Sequence, residues 1–181
     1  MKRIAIVATF AIGAFVLSGC STDHSSHQAA PSQSVYTAGE LMFAQMMIPH
    51  HQQAVKMSGF AEGKTTNAEL LHIAAHIKGA QEPEIKQMQG WLTASGVNVA
   101  DHHMAMDGLL TDAEMTELEA ATGEKFERLY LSGMIKHHRG AIDMLSMISE
   151  STTPEVVTLR ESIRKTQTAE IKQMQDLLNK Y

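Results

Sequence analysis

From residue 37 onward, apolar side chains recur at alternating intervals of three and four, the period of helices that bury one face. The stripe is clearest in Leu70, Ala74, Ile77, Gln81, Ile85 (or Glu84), Met88 and Leu92, which follow the seam of a helical bundle. Start signals divide the pattern. Thr37-x-x-Glu40, Thr66-x-x-Glu69 and Thr111-x-x-Glu114 have the spacing of a capping box, in which side chains satisfy the orphan amides of a first turn. Thr153-Pro154-Glu155 places a cap before a proline at the first helical position. Gly63, Gly96 and Gly123 fall where the chain must break. These signals predict helices over 37–61, 66–95, 111–121, 124–150 and 154–180. The third is short.

The pattern is written twice. Met47-Ile48-Pro49-His50-His51-Gln52-Gln53-Ala54-Val55-Lys56-Met57 returns as Met134-Ile135-Lys136-His137-His138-Arg139-Gly140-Ala141-Ile142-Asp143-Met144. A second string follows each copy, Gln81-x-x-Glu84-Ile85-Lys86-Gln87-Met88-Gln89 and then Gln167-x-x-Glu170-Ile171-Lys172-Gln173-Met174-Gln175. Repeats this literal imply two equivalent helical hairpins, each with an apolar face that only the other can cover. The expected fold is all-α, an antiparallel four-helix bundle made of the two hairpins plus the short linker helix. Gln81 and Gln167 lie in line with core positions and need hydrogen-bond partners, for which the histidines of the neighbouring helix are the candidates. Pro49 falls inside the first helix, where it removes an amide and crowds the carbonyl of Gln45, so a kink is expected beside the His pair.

Residues 1–20 read as a leader. Lys2 and Arg3 precede an apolar run from Ile4 to Val16, too short to be a firm membrane span, and Leu17-Ser18-Gly19-Cys20 ends it. That ending resembles the lipobox of bacterial lipoproteins, in which the cysteine becomes the first residue and carries lipid. The alternative is a plain secretory signal or short anchor, with Cys20 incidental. Either places the domain outside the cytoplasm. Residues 21–36 form a tether rich in Ser, His, Gln and Ala with little to bury. The domain proper is 37–181, with repeat one at 37–96, a linker at 97–110 and repeat two at 111–181.

Composition sharpens this picture. The chain has 13 Met and 10 His against a single Cys and a single Trp, and a net charge of −5. Setting aside Lys2 and Arg3 leaves −5 − 2 = −7. An acidic chain without a basic run is no nucleic-acid binder. With Cys20 committed to lipid, neither a disulfide nor a thiolate metal site remains.

Met47, His50, Ala54 and Met57 share one helical stripe, as do Met134, His137, Ala141 and Met144. His51 and His138 lie beside these stripes, nearer the middle of the apolar arc. Imidazole suits copper, zinc, iron and nickel, while thioether is soft; a mixed Met/His set selects Cu(I) and leaves Cu(II) to the imidazoles. The structural alternative is that the methionines fill the core and the His pairs form a polar layer with Gln81, Glu84, Gln167 and Glu170. Both readings stand on these residues alone. The linker favours metal. Asp101-His102-His103-Met104-Ala105-Met106 gathers two imidazoles and two thioethers in a segment without an apolar face, which points to solvent-accessible ligation. His72 and His76 are spaced i, i+4 but fall off the core stripe, and Thr158 and Ser162 stand at the matching places; they read as solvated, with an incidental surface metal site open to them.

These duplicated strings closely resemble the domain-of-unknown-function family 305 over roughly residues 37–180. The resemblance implies a ferritin-like fold and kinship with the periplasmic CopM-type copper-binding proteins. It implies Cu(I)/Cu(II) binding and copper tolerance, carried here by His50, His51, His137, His138 and the surrounding methionines. His103-Met104-Ala105-Met106-Asp107-Gly108 looks like the family's Met-Pro-Gly-Met segment without its proline. The expectation is therefore a lipid-anchored, extracytoplasmic copper-binding protein of the periplasm or cell envelope. It would sequester copper or pass it to another copper-handling protein, without catalytic turnover. Its expected metal residues are Met47, His50, His51, Met57, His102, His103, Met104, Met106, Met134, His137, His138 and Met144. The rivals are an envelope interaction module whose His pairs are structural, and a bundle holding haem or iron non-covalently. A di-iron oxidase needs two Glu-x-x-His pairs, and only Glu69-Leu70-Leu71-His72 is present.

If Cys20 carries lipid, Cys20→Ser should release a folded domain from membranes, because durable attachment takes two or more acyl chains. Fractionation of the variant is the check. A full-length precursor that still sediments with membranes would make the leader an anchor instead.

Overall fold

The computed structural model describes residues 35–98 and 106–181. Among these the protein is all-α, with α1 at Ala38–Phe60, α2 at Ala68–Ala94, α3 at Asp112–Ala120, α4 at Gly123–Met144 and α5 at Pro154–Leu178. The leader with Cys20, the tether up to residue 34, and His102, His103 and Met104 lie outside the described residues. No described helix is long and apolar enough to cross a membrane.

The caps explain most boundaries. Thr37 and Thr111 close full capping boxes with Glu40 and Glu114, and Pro154 opens α5 behind Thr153. The start of α2 differs from expectation. Asn67, not Thr66, is its cap, and the Asn67 carboxamide oxygen accepts from the amides of Glu69 and Leu70. The fourth helix is shorter than the apolar period implies, because α4 tightens into a single 3-10 turn, Leu145–Ile148. Helix α1 continues through Pro49 without interruption, and α2 continues through Pro83, which lies just before Glu84.

Each repeat forms a hairpin, α1 against α2 and α4 against α5, and the hairpins meet through α1 with α4 and α2 with α5. The core is divided into two apolar clusters. One includes Ala54, Met57, Leu70, Ile77, Leu131, Met134 and Met174. The other includes Phe43, Met47, Met88, Leu92, Ala141, Met144 and Ile163. Along α1 and α5 the chain passes from the second cluster to the first, and along α2 and α4 from the first to the second. Packed neighbours therefore run antiparallel. On every one of these helices the buried side chains between the two clusters are polar, namely His50, His51, Gln81, His137, His138, Gln167 and Glu170, so a polar layer crosses the middle of the core.

The linker is strapped over that layer. The Gln53 carboxamide donates to the Leu110 carbonyl at 2.9 Å and accepts from the Leu110 amide at 2.8 Å, occupying the backbone as a neighbouring strand would. At the equivalent place on α4 stands Gly140, and there the linker backbone comes into contact. A Cβ on Gly140 would lie 2.0 Å from the Asp107 carbonyl oxygen, and one on Gly108 (φ +89°) would meet Gly140 and the Lys136 carbonyl at 2.9 Å. The repeats thus differ at this position because one holds the strap and the other makes room for it.

Gly140→Ala tests the strap. Alanine is favoured over glycine within a helix by about 1 kcal/mol. The 2.0 Å overlap with backbone opposes that gain. A net loss of about 1–3 kcal/mol in chemical denaturation, as for overpacked cores, is the expected outcome. A more stable variant would mean that residues 107–108 move aside freely.

Candidate metal centre

His50, His51, His137 and His138 are all fully buried. This corrects the expectation that His50 and His137 lie nearer the edge. They sit on facing turns of α1 and α4, where the rings of His50 and His137 lie tilted against each other, with centroids 3.8 Å apart and planes at 41°. Helical spacing brings the two histidines of each pair to one end of the arc that also buries Ala54 and Ala141, whose small side chains allow the close approach.

All four Nε2 atoms face acceptors. His51 Nε2 donates to Glu84 Oε2 at 2.8 Å, and His138 Nε2 to Glu170 Oε2 at 2.7 Å, each within its own hairpin. His137 Nε2 donates to the His50 carbonyl oxygen at 2.9 Å, across the hairpin interface, and His50 Nε2 to the Asp107 carbonyl oxygen of the strap at 3.3 Å. A carbonyl or carboxylate can only accept, so each ring carries a proton on Nε2, and in its neutral form has its lone pair on Nδ1. The four Nδ1 atoms are buried and have no hydrogen-bond partner. The expected partnership of His51 and His138 with Gln81 and Gln167 does not form; the carboxylates take both histidines. The two glutamine carboxamides are themselves buried with neither N nor O paired. Every unpartnered buried side-chain nitrogen or oxygen among the described residues belongs to these four histidines and two glutamines.

Burial holds the imidazoles of His50 and His137 neutral. The His50 pKa is lowered to about 3, chiefly by desolvation and then by the neighbouring His51, with the Asp107 carbonyl opposing. His137 is lowered well below the ordinary value, again by desolvation first and then by His50 and His138. Neutral imidazole is the form that ligates metal.

The methionines lie on either side. Met57 and Met134 belong to the first apolar cluster, Met47 and Met144 to the second, so each cluster beside the layer contains methionines from both repeats. Met106 packs partly buried against the second cluster, so the end of the linker does serve an apolar face, against expectation. Among the described residues no three His, Cys, Asp or Glu side chains converge to enclose an ion.

Glu84 and Glu170 stand beside the glutamines in the polar-layer alternative, and the hairpin geometry gives His51 and His138 to them alone. One feature was hard to read from sequence. His76, read as solvated, donates through Nδ1 to Glu170 Oε1 at 2.8 Å while its side chain stays 57% exposed. Its off-stripe position on α2 concealed a partner on α5.

The family model of the Domain of unknown function (DUF305) matches residues 40–178. The chain belongs to that family. Among solved structures, a DUF305 fragment from Deinococcus radiodurans is 29% identical, with a TM-score of 0.75 over 80% of this chain and 98% of the other. A candidate secreted DUF305 protein from Streptomyces coelicolor is 32% identical, with a TM-score of 0.73 over 78% and 93%. CopM in its Cu(I)-bound form is 33% identical, with a TM-score of 0.67 over 80% and 97%, and it is also known in Cu(II)- and silver-bound forms. No curated protein sequence matches this DUF305 chain.

The buried imidazoles set a pH dependence. With the folded pKa of His50 and His137 below the unfolded value of about 6.5, the unfolded chain binds more protons wherever pH lies between the two. Stability of the metal-free protein is then fully present above about pH 6.5 and falls as pH drops below it, for His50 down to about 3, by up to about 1.4 kcal/mol per pH unit for each histidine. Urea unfolding in chelator at stepped pH should give this slope, and a double His50→Gln, His137→Gln variant should lose most of it. An equal slope in the variant would assign the acid sensitivity elsewhere.

Proposed function

We propose that this protein binds copper outside the cytoplasm, through the buried imidazole layer and its bounding methionines, and holds or hands on the ion without turnover. The observation that carries the reading is the set of four buried Nδ1 atoms whose rings are all fixed, by acceptors at Nε2, to present a lone pair with nothing to receive. An unpaired buried polar atom costs about 1–3 kcal/mol. A layer with eight of them would weigh heavily against a total stability of about 5–15 kcal/mol. A bound ion offsets that cost. Glu84 and Glu170 would act as the outer-shell carboxylates that orient ligating histidines and raise their basicity.

The architecture in this reading is a ferritin-like, antiparallel four-helix bundle whose interior layer receives the ion between the hairpins. Cu(I) suits the thioethers Met47, Met57, Met134 and Met144 together with His50, His51, His137 and His138; Cu(II) suits the imidazoles alone. His102, His103, Met104 and Met106 would supply ligands at the linker. Cys20 would tether the domain to a membrane by lipid, and a thiol-free site withstands oxidising surroundings. Kinship with copper-bound CopM supports copper over other transition ions.

A purely structural layer is the second reading, favoured by the His–Glu bond that pins each hairpin, one in each. It accounts for Nε2 and leaves Nδ1 unexplained. The double variant His50→Gln, His137→Gln separates the two. For the native protein, copper at a hundredfold excess over its dissociation constant should add roughly 2.7 kcal/mol. Calorimetric melting should lose this gain in the variant. Undiminished copper stabilisation would leave the His pairs as packing and transfer the copper reading to the linker.

A further inference from the structure

The two-fold likeness of the repeats is broken beside the polar layer. Glu84 receives one imidazole, from His51, whereas Glu170 receives two: His138 from within and His76 from the surface. The partner from outside has no counterpart, since Ser162 stands at the matching place in repeat two, and Thr158 matches His72. Glu170 itself is nearly fully buried, with a side chain 4% exposed, while that of His76 is 57% exposed. The carboxylate therefore reaches outward from the core to grip a surface ring.

That grip decides which nitrogen is available. The Nδ1 proton of His76 is committed to Glu170, so the neutral ring carries its lone pair on Nε2, the atom on the opposite side. His72 is exposed one turn earlier on the same helix. Residues i and i+4 are neighbours on a helix surface, about 5–6 Å apart at Cβ. Two imidazoles at that spacing can share one ion, and a carboxylate behind the first is the usual means of orienting a ligating ring.

We propose that His72 and His76 form a surface site for a divalent transition ion, filled out by water and oriented through the buried carboxylate of Glu170. Two borderline nitrogen donors on an exposed helix bind Cu(II) ahead of Zn(II) or Ni(II), following the general order of divalent affinities. Thioethers play no part, so the site is chemically distinct from the interior layer and its existence does not depend on metal binding there. Because the other oxygen of Glu170 holds His138, one carboxylate orients both the surface ring and an interior ring.

Paramagnetic broadening tests this residue by residue. Substoichiometric Cu(II) added to the full chain should broaden the imidazole NMR signals of His72 and His76 together. The same should occur in the His50→Gln, His137→Gln variant, where loss of the effect would trace the broadening to the interior and overturn the proposal. His72→Gln removes a ligand without touching Glu170. Its Cu(II) affinity at this site should fall by no less than the roughly 10–100-fold typical of losing an outer-shell partner, with the metal-free melting temperature unchanged. If His72→Gln keeps native affinity while His76→Gln lowers the metal-free melting temperature, His76 is only a hydrogen-bond partner of Glu170 and the site does not exist.

Discussion

The fixing of four buried imidazoles by acceptors at Nε2 constrains everything around it. Two of those acceptors are carboxylates inside the hairpins, one is a helix carbonyl across the hairpin interface, and one is the carbonyl of Asp107 in the linker. Helices α1, α2 and α5 and the linker therefore each hold one ring. The cost is a core cut in two by polar side chains, with two apolar clusters that must supply the burial energy separately. It also orders the helices, because only an antiparallel arrangement of equivalent hairpins brings both His pairs and both glutamates to one level.

Near-symmetry makes the departures informative. The repeat-one helices carry Pro49 and Pro83 immediately before His50 and Glu84, where repeat two has Lys136 and Ala169. Proline frees the carbonyl four residues earlier, so both helices of one hairpin lack a backbone bond close to the layer. Gln53 and Gly140 differ for a further reason, that a single linker can cross the two-fold only once and meets one hairpin with a side chain and the other with bare backbone. Glu170 and its surface partner His76 are the third departure. All three lie at the polar layer.

Methionine has two roles that the fold does not separate. Met47, Met57, Met88, Met134 and Met174 are wholly buried in the apolar clusters, and flexible thioethers fill irregular gaps well. In the proposed copper reading the methionines of the two clusters would also supply the softest donors in the core, without any further polar group being buried for them.

Period and repetition in the chain were enough to determine that it is all-helical, where most helices begin, and that His50, His51, His137 and His138 occupy equivalent places in two halves. Those are local or repeated properties: caps act within one turn, and a duplicated string needs no partner to be seen. The depth of His50 and His137, the choice of Glu84 and Glu170 over Gln81 and Gln167, and the contact of His76 with Glu170 were decided only when the helices packed. Position around a helix is legible from a period of 3.6 residues, but the rotation of one helix against another is set by side-chain volumes on both. A residue at the edge of an apolar arc, such as His50, is buried or exposed according to whether a neighbour closes over it; here α4 and the strap at Asp107 do so. The tautomer followed from that closure, since an imidazole commits its proton only once an acceptor stands in front of it.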